Sequence, residues 1–401
     1  MIGAKTMARY SSITPEGTTD LLFKECEARR EVESKVINIF KGRGFSEVVT
    51  PSLEFYDVFS NQYNAIPQEM MYKLFDNKGR ILVMRPDNTL PIARVAATRL
   101  KSFSPPLRLY YNQRIFRISP SMTGRSDEFA QCGIELIGIS GKKADLEVIA
   151  TAITSLKSTT QLDFCIEIGH VGFYKSIIDN LPFETQVVEQ IRGFIEAKNY
   201  AALDDVLKPY VDTNPYCKAL LALPKLFGGN EVFELALSIA PNEIAISTVN
   251  YLRDLYCELC NMGLQNYIMI DLGLVNQIHY YSGMVFRGFI QGSGGTVLSG
   301  GRYDELLSAF GADMPATGFA MNIDAVAKTL TIQSKKENEV LIYYDKPFAK
   351  AAFEHMETLT DAGIICEMSV FETLEQTKEY ASLKGITQLD IVTENITSIS
   401  L

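Results

Sequence analysis

No stretch of this sequence runs for eighteen uninterrupted apolar residues, so none of it reads as a membrane-spanning helix. The N-terminus, MIGAKTMARYSS, lacks the basic start, apolar stretch and small-residue cleavage site of a signal peptide. A cytoplasmic chain with no membrane partner is expected. Basic residues are in the minority, 38 against 48 acidic, for a net charge of −10. A protein that grips a polyanion carries the opposite balance, which argues against nucleic acid as a partner. The seven cysteines are odd in number, scattered and mostly in apolar contexts, as reduced core thiols are. Cys257 and Cys260 have the spacing of half a zinc site, but no second pair or nearby histidine completes it, and both are expected in a helix core. His170, His279 and His355 are lone histidines, better suited to core or surface positions than to ligation. The GSGG at 292–295 lacks a following GK[ST] or a strand-to-helix GxGxxG frame, so it predicts a hairpin turn and not a phosphate loop. Neither a metal nor a cofactor is expected.

What is present is an ordinary globular composition, 47% hydrophobic and 21% charged over 401 residues, enough for two or three cores. From Thr18 to Gly44, Leu21, Leu22, Val32, Val36 and Phe40 recur at helical spacing, with capping residues before and glycines after. FSEVVTPSLEF, MYKLFDNKGRILVM, RLYYNQRIFRIS and DEFAQCGIELIGI are β-branched, aromatic and broken by turn chemistry, and predict antiparallel strands. A helical insertion without strands is expected over about 174–262. Strand signals return at NYIMIDLGL, HYYSGMVFRGFIQ and TVLSGGRYDELL, and a helix is expected from about Asn322. After a polar linker at 331–339, residues 340–401 alternate strand, helix, strand, helix, strand, which predicts a small parallel α/β domain. The fold class is α+β, with a first domain over 1–330.

Three segments in order resemble the motifs of class II aminoacyl-tRNA synthetases: GRGFSEVVTPSLEF at 42–55, RIFRISPSMTGRSDEFAQCGIELIG at 114–138 and ATGFAMNIDA at 316–325. MRPDNTLPIAR at 84–94, IHYYSG at 278–283 and SGGRYDELL at 299–307 resemble the histidyl-tRNA synthetase subtype. The resemblance implies an antiparallel sheet flanked by helices, a homodimer through the first motif, and a tail like a shortened anticodon-binding domain.

The departures carry as much weight. Adenylate formation needs fixed cations around a phosphate, because oriented charge in a dry site supplies the largest single catalytic term. Arg117 matches the motif 2 arginine, but the motif 3 arginine position is Ala325, a further arginine position is Asn276, and the adenine-reading glutamate is Ser119. No catalytic residue is therefore assigned. Arg117 stands as a remnant anion-binding group or as the ion-pair partner of an acidic neighbour. The tail carries four lysines, no arginine and ten carboxylates, a charge of −6 that does not suit tRNA.

The amino-acid pocket implied by the resemblance stays largely intact at Asp87, Thr89, Gln131, Glu135, Tyr280 and Tyr281. Asp87, Thr89 and Gln131 suit an ammonium, and Glu135 suits an imidazole N–H. Glu135 shares a strand face with Gln131. Tyr280 and Tyr281 point to opposite faces if they lie in a strand, so one is expected to floor the pocket. His279 occupies the family's aspartate position beside it, and Arg302 is expected to hold the glycine turn closed. A pocket kept while the chemistry is lost resembles the family of ATP phosphoribosyltransferase regulatory subunits. That resemblance implies a non-catalytic partner for a short catalytic chain in the first step of histidine biosynthesis, with free histidine as effector. The alternative is a divergent histidyl-tRNA synthetase.

Overall fold

The computed structural model describes residues 12–60, 66–119, 126–274, 280–330 and 339–401. The chain forms two compact units, Met1–Leu330 and Thr331–Leu401. Most of the 331–339 segment read as a linker lies outside the described residues. Among those described, no helix is long and apolar enough to cross a membrane.

The first unit is built on a nine-stranded sheet. Its strands are β1 (Ser46–Glu47), β5 (Leu107–Phe116), β6 (Glu128–Ile137), β7 (Phe164–His170), β8 (Phe227–Gly228), β9 (Ile268–Asp271), β10 (Met284–Ile290), β11 (Thr296–Arg302) and β12 (Ala316–Asn322), in the order β1-β5-β6-β12-β11-β10-β7-β9-β8. The central run from β5 to β7 is antiparallel throughout, while β1 joins β5 and β9 joins β7 in parallel. A separate three-stranded sheet holds β2 (Leu53–Phe55), β4 (Ile81–Met84) and β3 (Lys73–Phe75). Strand β7 and the helices Thr89–Thr98 and Lys142–Thr159 are not among the elements expected from periodicity. FCIEIGH does alternate, with Ile166 and Ile168 buried, but the run is short.

The first helix among the described residues spans Lys24–Gly42 and not Thr18 onward. Residues ahead of it are committed elsewhere: the Gly17 carbonyl accepts from the Asp127 N–H (2.7 Å), tying this segment to the start of β6. The turn is made by Phe23 at φ +45°, and the Glu25 carboxylate accepts from the Leu22 N–H (3.1 Å) as the helix begins. Val32, Val36 and Phe40 are fully buried, whereas Leu22 is 58% exposed. Phe40 packs edge-on against Phe319 of β12 and tilted against Tyr110 of β5, which fixes the helix across one face of the sheet.

The insertion begins at Val171, three residues before the expected point, and contains helices Val171–Ile178, Thr185–Glu196, Tyr200–Leu207, Pro215–Ala222, Glu231–Ile239 and Glu243–Asn261. It also contains β8, which pairs antiparallel with β9, where no strand was expected. Asparagines begin several of these helices; the Asn242 side chain accepts from the Ala245 N–H (2.8 Å). His170 caps Val171–Ile178 through Nδ1, which accepts from the Gly172 N–H (3.0 Å), and burial, with the positive charge of Arg302, depresses its pKa to about 4. Cys257 is exposed and Cys260 half-buried, so neither is the core thiol expected. Their helix turns its apolar stripe through Leu252, Leu255 and Leu259 instead.

The glycines ahead of Arg302 lie in strand β11 and not in a turn, and its guanidinium reaches instead to the Ile139 and Gly141 carbonyls (3.4 and 3.2 Å). Its guanidinium donates to both oxygens of Asp145 (2.7 and 3.2 Å) and to Asp304 (3.0 Å), joining β11 to the helix Lys142–Thr159. Asp145 also accepts from the Tyr251 hydroxyl of the insertion.

The second unit has β13 (Val340–Tyr344), β14 (Cys366–Met368), β15 (Gln388–Val392) and β16 (Ile396–Ser400), with helices Ala349–Asp361 and Leu374–Lys384. β13 pairs in parallel with β14 and β15, but β16 adds an antiparallel edge that the expected parallel domain lacks. The short ITSIS run follows β15 by one tight turn, and that connection forces the antiparallel direction. His355 Nε2 lies 2.7 Å from Asp390 Oδ2.

Because Arg302 and Asp145 are both buried, Arg302→Ala leaves a carboxylate without its main partner. Urea unfolding of the first unit is expected to show a loss of about 3–5 kcal/mol.

Candidate functional site

The site begins as a matter of register. On β6, Gln131, Gly133 and Glu135 fall on one face, with Cys132 and Ile134 on the other. Across the sheet Glu135 stands opposite Gly318 of β12, which in turn stands opposite Gly301 of β11. A Cβ at Gly318 would sit 2.0 Å from Glu135 Oε2 and 2.4 Å from the Ile134 carbonyl, so only glycine admits the carboxyl at this position. The space above this row is the cavity.

Two further segments close over it. The start of helix Thr89–Thr98 brings three polar side chains: Asp87 Oδ1 accepts from the Leu90 N–H (3.0 Å), Asn88 Nδ2 donates to Gln131 Oε1 (2.8 Å), and the Thr89 hydroxyl donates to Glu135 Oε1 (2.9 Å). From the other side come Tyr280 and Tyr281, their ring centroids 4.9 Å apart, with Tyr280 edge-on to Tyr303 at 5.6 Å. The Tyr303 hydroxyl donates to Glu135 Oε2, completing the carboxyl's contacts. The result is a narrow cavity of about 60 Å³, room for on the order of five waters.

All six residues read as a pocket line this cavity, together with Arg117, Tyr303 and Ser299. Both tyrosines line it, contrary to the expectation of one, because β10 starts only at Met284 and strand alternation does not govern 280–281. Arg117 is held by Nη2 donating to the Pro86 carbonyl (2.9 Å), and its Nε has no partner among the described residues. Its charge opposes the rise that burial causes in the Asp87 carboxyl. Tyr303 was not singled out, although SGGRYDELL contains it; only the sheet register brings it to Glu135. Ser119 uses its backbone N–H on Asp127 Oδ1 (2.8 Å), and Ala325 presents a methyl group in the short helix Ile323–Ala327. Asn276 and His279 lie outside the described residues. No cluster of three metal-ligating side chains occurs among the described residues.

The model of the histidyl-tRNA synthetase family matches residues 17–326. An ATP phosphoribosyltransferase regulatory subunit of Clostridium acetobutylicum is 42% identical over 390 residues, 96% of each chain. One from Clostridium botulinum (strain Langeland) is 40% identical over 390 residues, 95% of this chain and 92% of that one. The chain belongs to the family of ATP phosphoribosyltransferase regulatory subunits. Among solved structures, a protein described as an ATP phosphoribosyltransferase regulatory subunit/histidyl-tRNA synthetase from Bacillus halodurans superposes with a TM-score of 0.84 at 30% identity, covering 95% of this chain and 99% of that one. The histidyl-tRNA synthetase of Nostoc, at 19% identity and a TM-score of 0.78, shares the fold. Regulatory subunits of this family are thus built on the class II synthetase scaffold, with an antiparallel central sheet and a small second domain.

In this family member the cavity is electrostatically acidic but not freely ionised. Burial raises Glu135 to about 8, the hydrogen bonds from Tyr303 and Thr89 oppose the rise, and the neighbouring Asp87 adds to it. Burial likewise raises Asp87, against the Leu90 and Thr89 N–H groups and the Arg117 charge. Carboxyls that ionise less readily than free ones are good partners for a ligand that brings its own positive charge or N–H donors. An aromatic wall and a polar floor restrict that ligand to one small molecule.

The sign of the pH effect follows from linkage. Glu135 stays protonated in the folded chain up to about 8, whereas an unperturbed glutamate ionises near 4.5. Between those values the unfolded chain binds fewer protons, so this group's contribution to stability is complete below 4.5 and declines as pH rises to about 8. Glu135→Gln removes the titration. Unfolding at pH 5 and pH 8.5 is expected to shift the difference between the two proteins by about 2–4 kcal/mol, in favour of the variant at high pH.

Proposed function

We propose that this chain is a non-catalytic, histidine-responsive subunit of ATP phosphoribosyltransferase, required for the activity of a short catalytic chain and for feedback on it. The observation that carries the reading is the cavity itself. It gathers Asp87, Thr89, Gln131 and Glu135 under two tyrosine rings while the motif 3 position above the same sheet is Ala325. A zwitterionic amino acid with an imidazole matches the donors and acceptors: its ammonium meets Asp87, Thr89 and Gln131, and a ring N–H meets Glu135. Activation of an amino acid needs more cations than Arg117 supplies. The −6 charge of the tail supports the same reading, since a tRNA-gripping domain gathers phosphates with positive charge.

The route from binding to control is a population shift. A partner that binds the active conformation of the catalytic chain more tightly than the inactive one raises the active fraction by that ratio. Histidine favours the opposite arrangement, and reciprocity requires assembly to change histidine affinity by the same factor. Titrating this chain into the catalytic chain is expected to raise phosphoribosyl-ATP formation, and histidine is expected to reverse the gain. Glu135→Ala should weaken histidine by roughly tenfold to a hundredfold, from the loss of a buried hydrogen bond to a carboxyl. Binding of the two chains without any change in rate, with or without histidine, counts against the proposal.

Within the same reading the chain pairs with a second copy through the first motif. Leu53, Phe55 and Leu74 share one face of the three-stranded sheet and are 46%, 42% and 41% exposed, a contiguous apolar surface of the kind that subunit contacts cover. Leu74→Asp is expected to convert a sedimenting dimer into a monomer at micromolar concentration while leaving the circular dichroism spectrum unchanged.

A further inference from the structure

Tyr111 lies on β5 directly opposite Gly133 of β6, so its side chain rises from the same sheet face as Gln131 and Glu135. The ring is 0% exposed, and its hydroxyl has no hydrogen-bond partner among the described residues. That hydroxyl lies across Gly133: a Cβ there would come within 2.5 Å of it. It therefore sits in the row between the two cavity-lining residues of β6, with Glu135, Asp87 and Tyr281 as its neighbours. A buried phenol that bonds to nothing costs stability, and apolar phenylalanine would fill the same volume at no such cost. With no donor on it among the described residues, the hydroxyl oxygen keeps its lone pairs for a ligand that brings N–H donors.

We propose that Tyr111 is a further ligand-recognition residue of the cavity, its hydroxyl accepting a hydrogen bond from an N–H of a small cationic amino acid. The proposal rests on the reading of the cavity as an amino-acid site and adds a contact that the six pocket residues do not include. Gly133 serves both neighbours: a Cβ there would come within 2.2 Å of the Phe319 carbonyl and 2.5 Å of the Tyr111 hydroxyl.

The test is Tyr111→Phe in the full chain, which removes one oxygen and nothing else. L-histidine binding is followed by calorimetry, and thermal unfolding of the unliganded protein is measured in parallel. The expected pair of results has opposite signs: affinity for histidine falls roughly tenfold, while the unliganded melting temperature stays level or rises. A purely structural hydroxyl gives the reverse, a lower melting temperature with unchanged affinity, and overturns the proposal. Equal affinity with equal stability overturns it too. Wild-type protein that takes up no histidine removes the amino-acid reading of the cavity and this contact together, whereas wild-type binding with an indifferent variant refutes Tyr111 alone.

Discussion

Much of what is distinctive in the first unit turns on a carboxyl group buried in the floor of a small cavity. Glu135 is 1% exposed, in the middle of a nine-stranded sheet. An isolated ionised carboxylate there is prohibitively unfavourable, and the structure meets the problem in three ways. Gly318 leaves room for the group, Thr89 and Tyr303 donate to its two oxygens, and its proton is retained to a higher pH. Each of these constrains another part of the fold. Thr89 requires the start of its helix to be aimed at the sheet, and Tyr303 requires β11 to end where it does.

The residue pair Arg302 and Tyr303 shows how far that constraint extends. Side chains of adjacent residues leave on opposite sides, so Tyr303 turns toward Glu135 while Arg302 turns toward Asp145 and, through it, to Tyr251 of the helical insertion. The segment ahead of β10 is pinned to the same place, with the Ser282 N–H donating to the Arg302 carbonyl and the Asp304 N–H to the Ser282 hydroxyl (both 2.9 Å). The tyrosine wall of the cavity and the anchor of the insertion thus share a few residues of backbone. The cavity is thereby tied to other elements at both ends.

The scaffold also shows how the cavity and the motif 3 position stand apart on a synthetase-like fold. The cavity residues and the motif 3 position lie at different places on the same sheet: Glu135 and Gln131 on β6, Ala325 just past β12. A methyl group at Ala325 leaves the register of β6 and β12 untouched. Recognition and reaction are separable because sheet register fixes the first, whereas the second depends on a few exposed-end side chains.

By itself the sequence determined the α+β class, the alternating tail, the main strands and the composition of the pocket, because strand alternation and turn chemistry are local and because the polar residues stand in quotable order. It placed Gln131 and Glu135 on one face for the same reason. The tertiary structure alone decided the rest. Lys24, not Thr18, begins the first helix because the preceding segment bonds to β6; Tyr280 and Tyr281 both face the cavity because the strand has not yet begun. β7 and β16 are strands because neighbours already in place accept their hydrogen bonds. Tyr303 and Tyr111 belong to the cavity only through cross-strand register, a long-range fact that no window of the sequence contains.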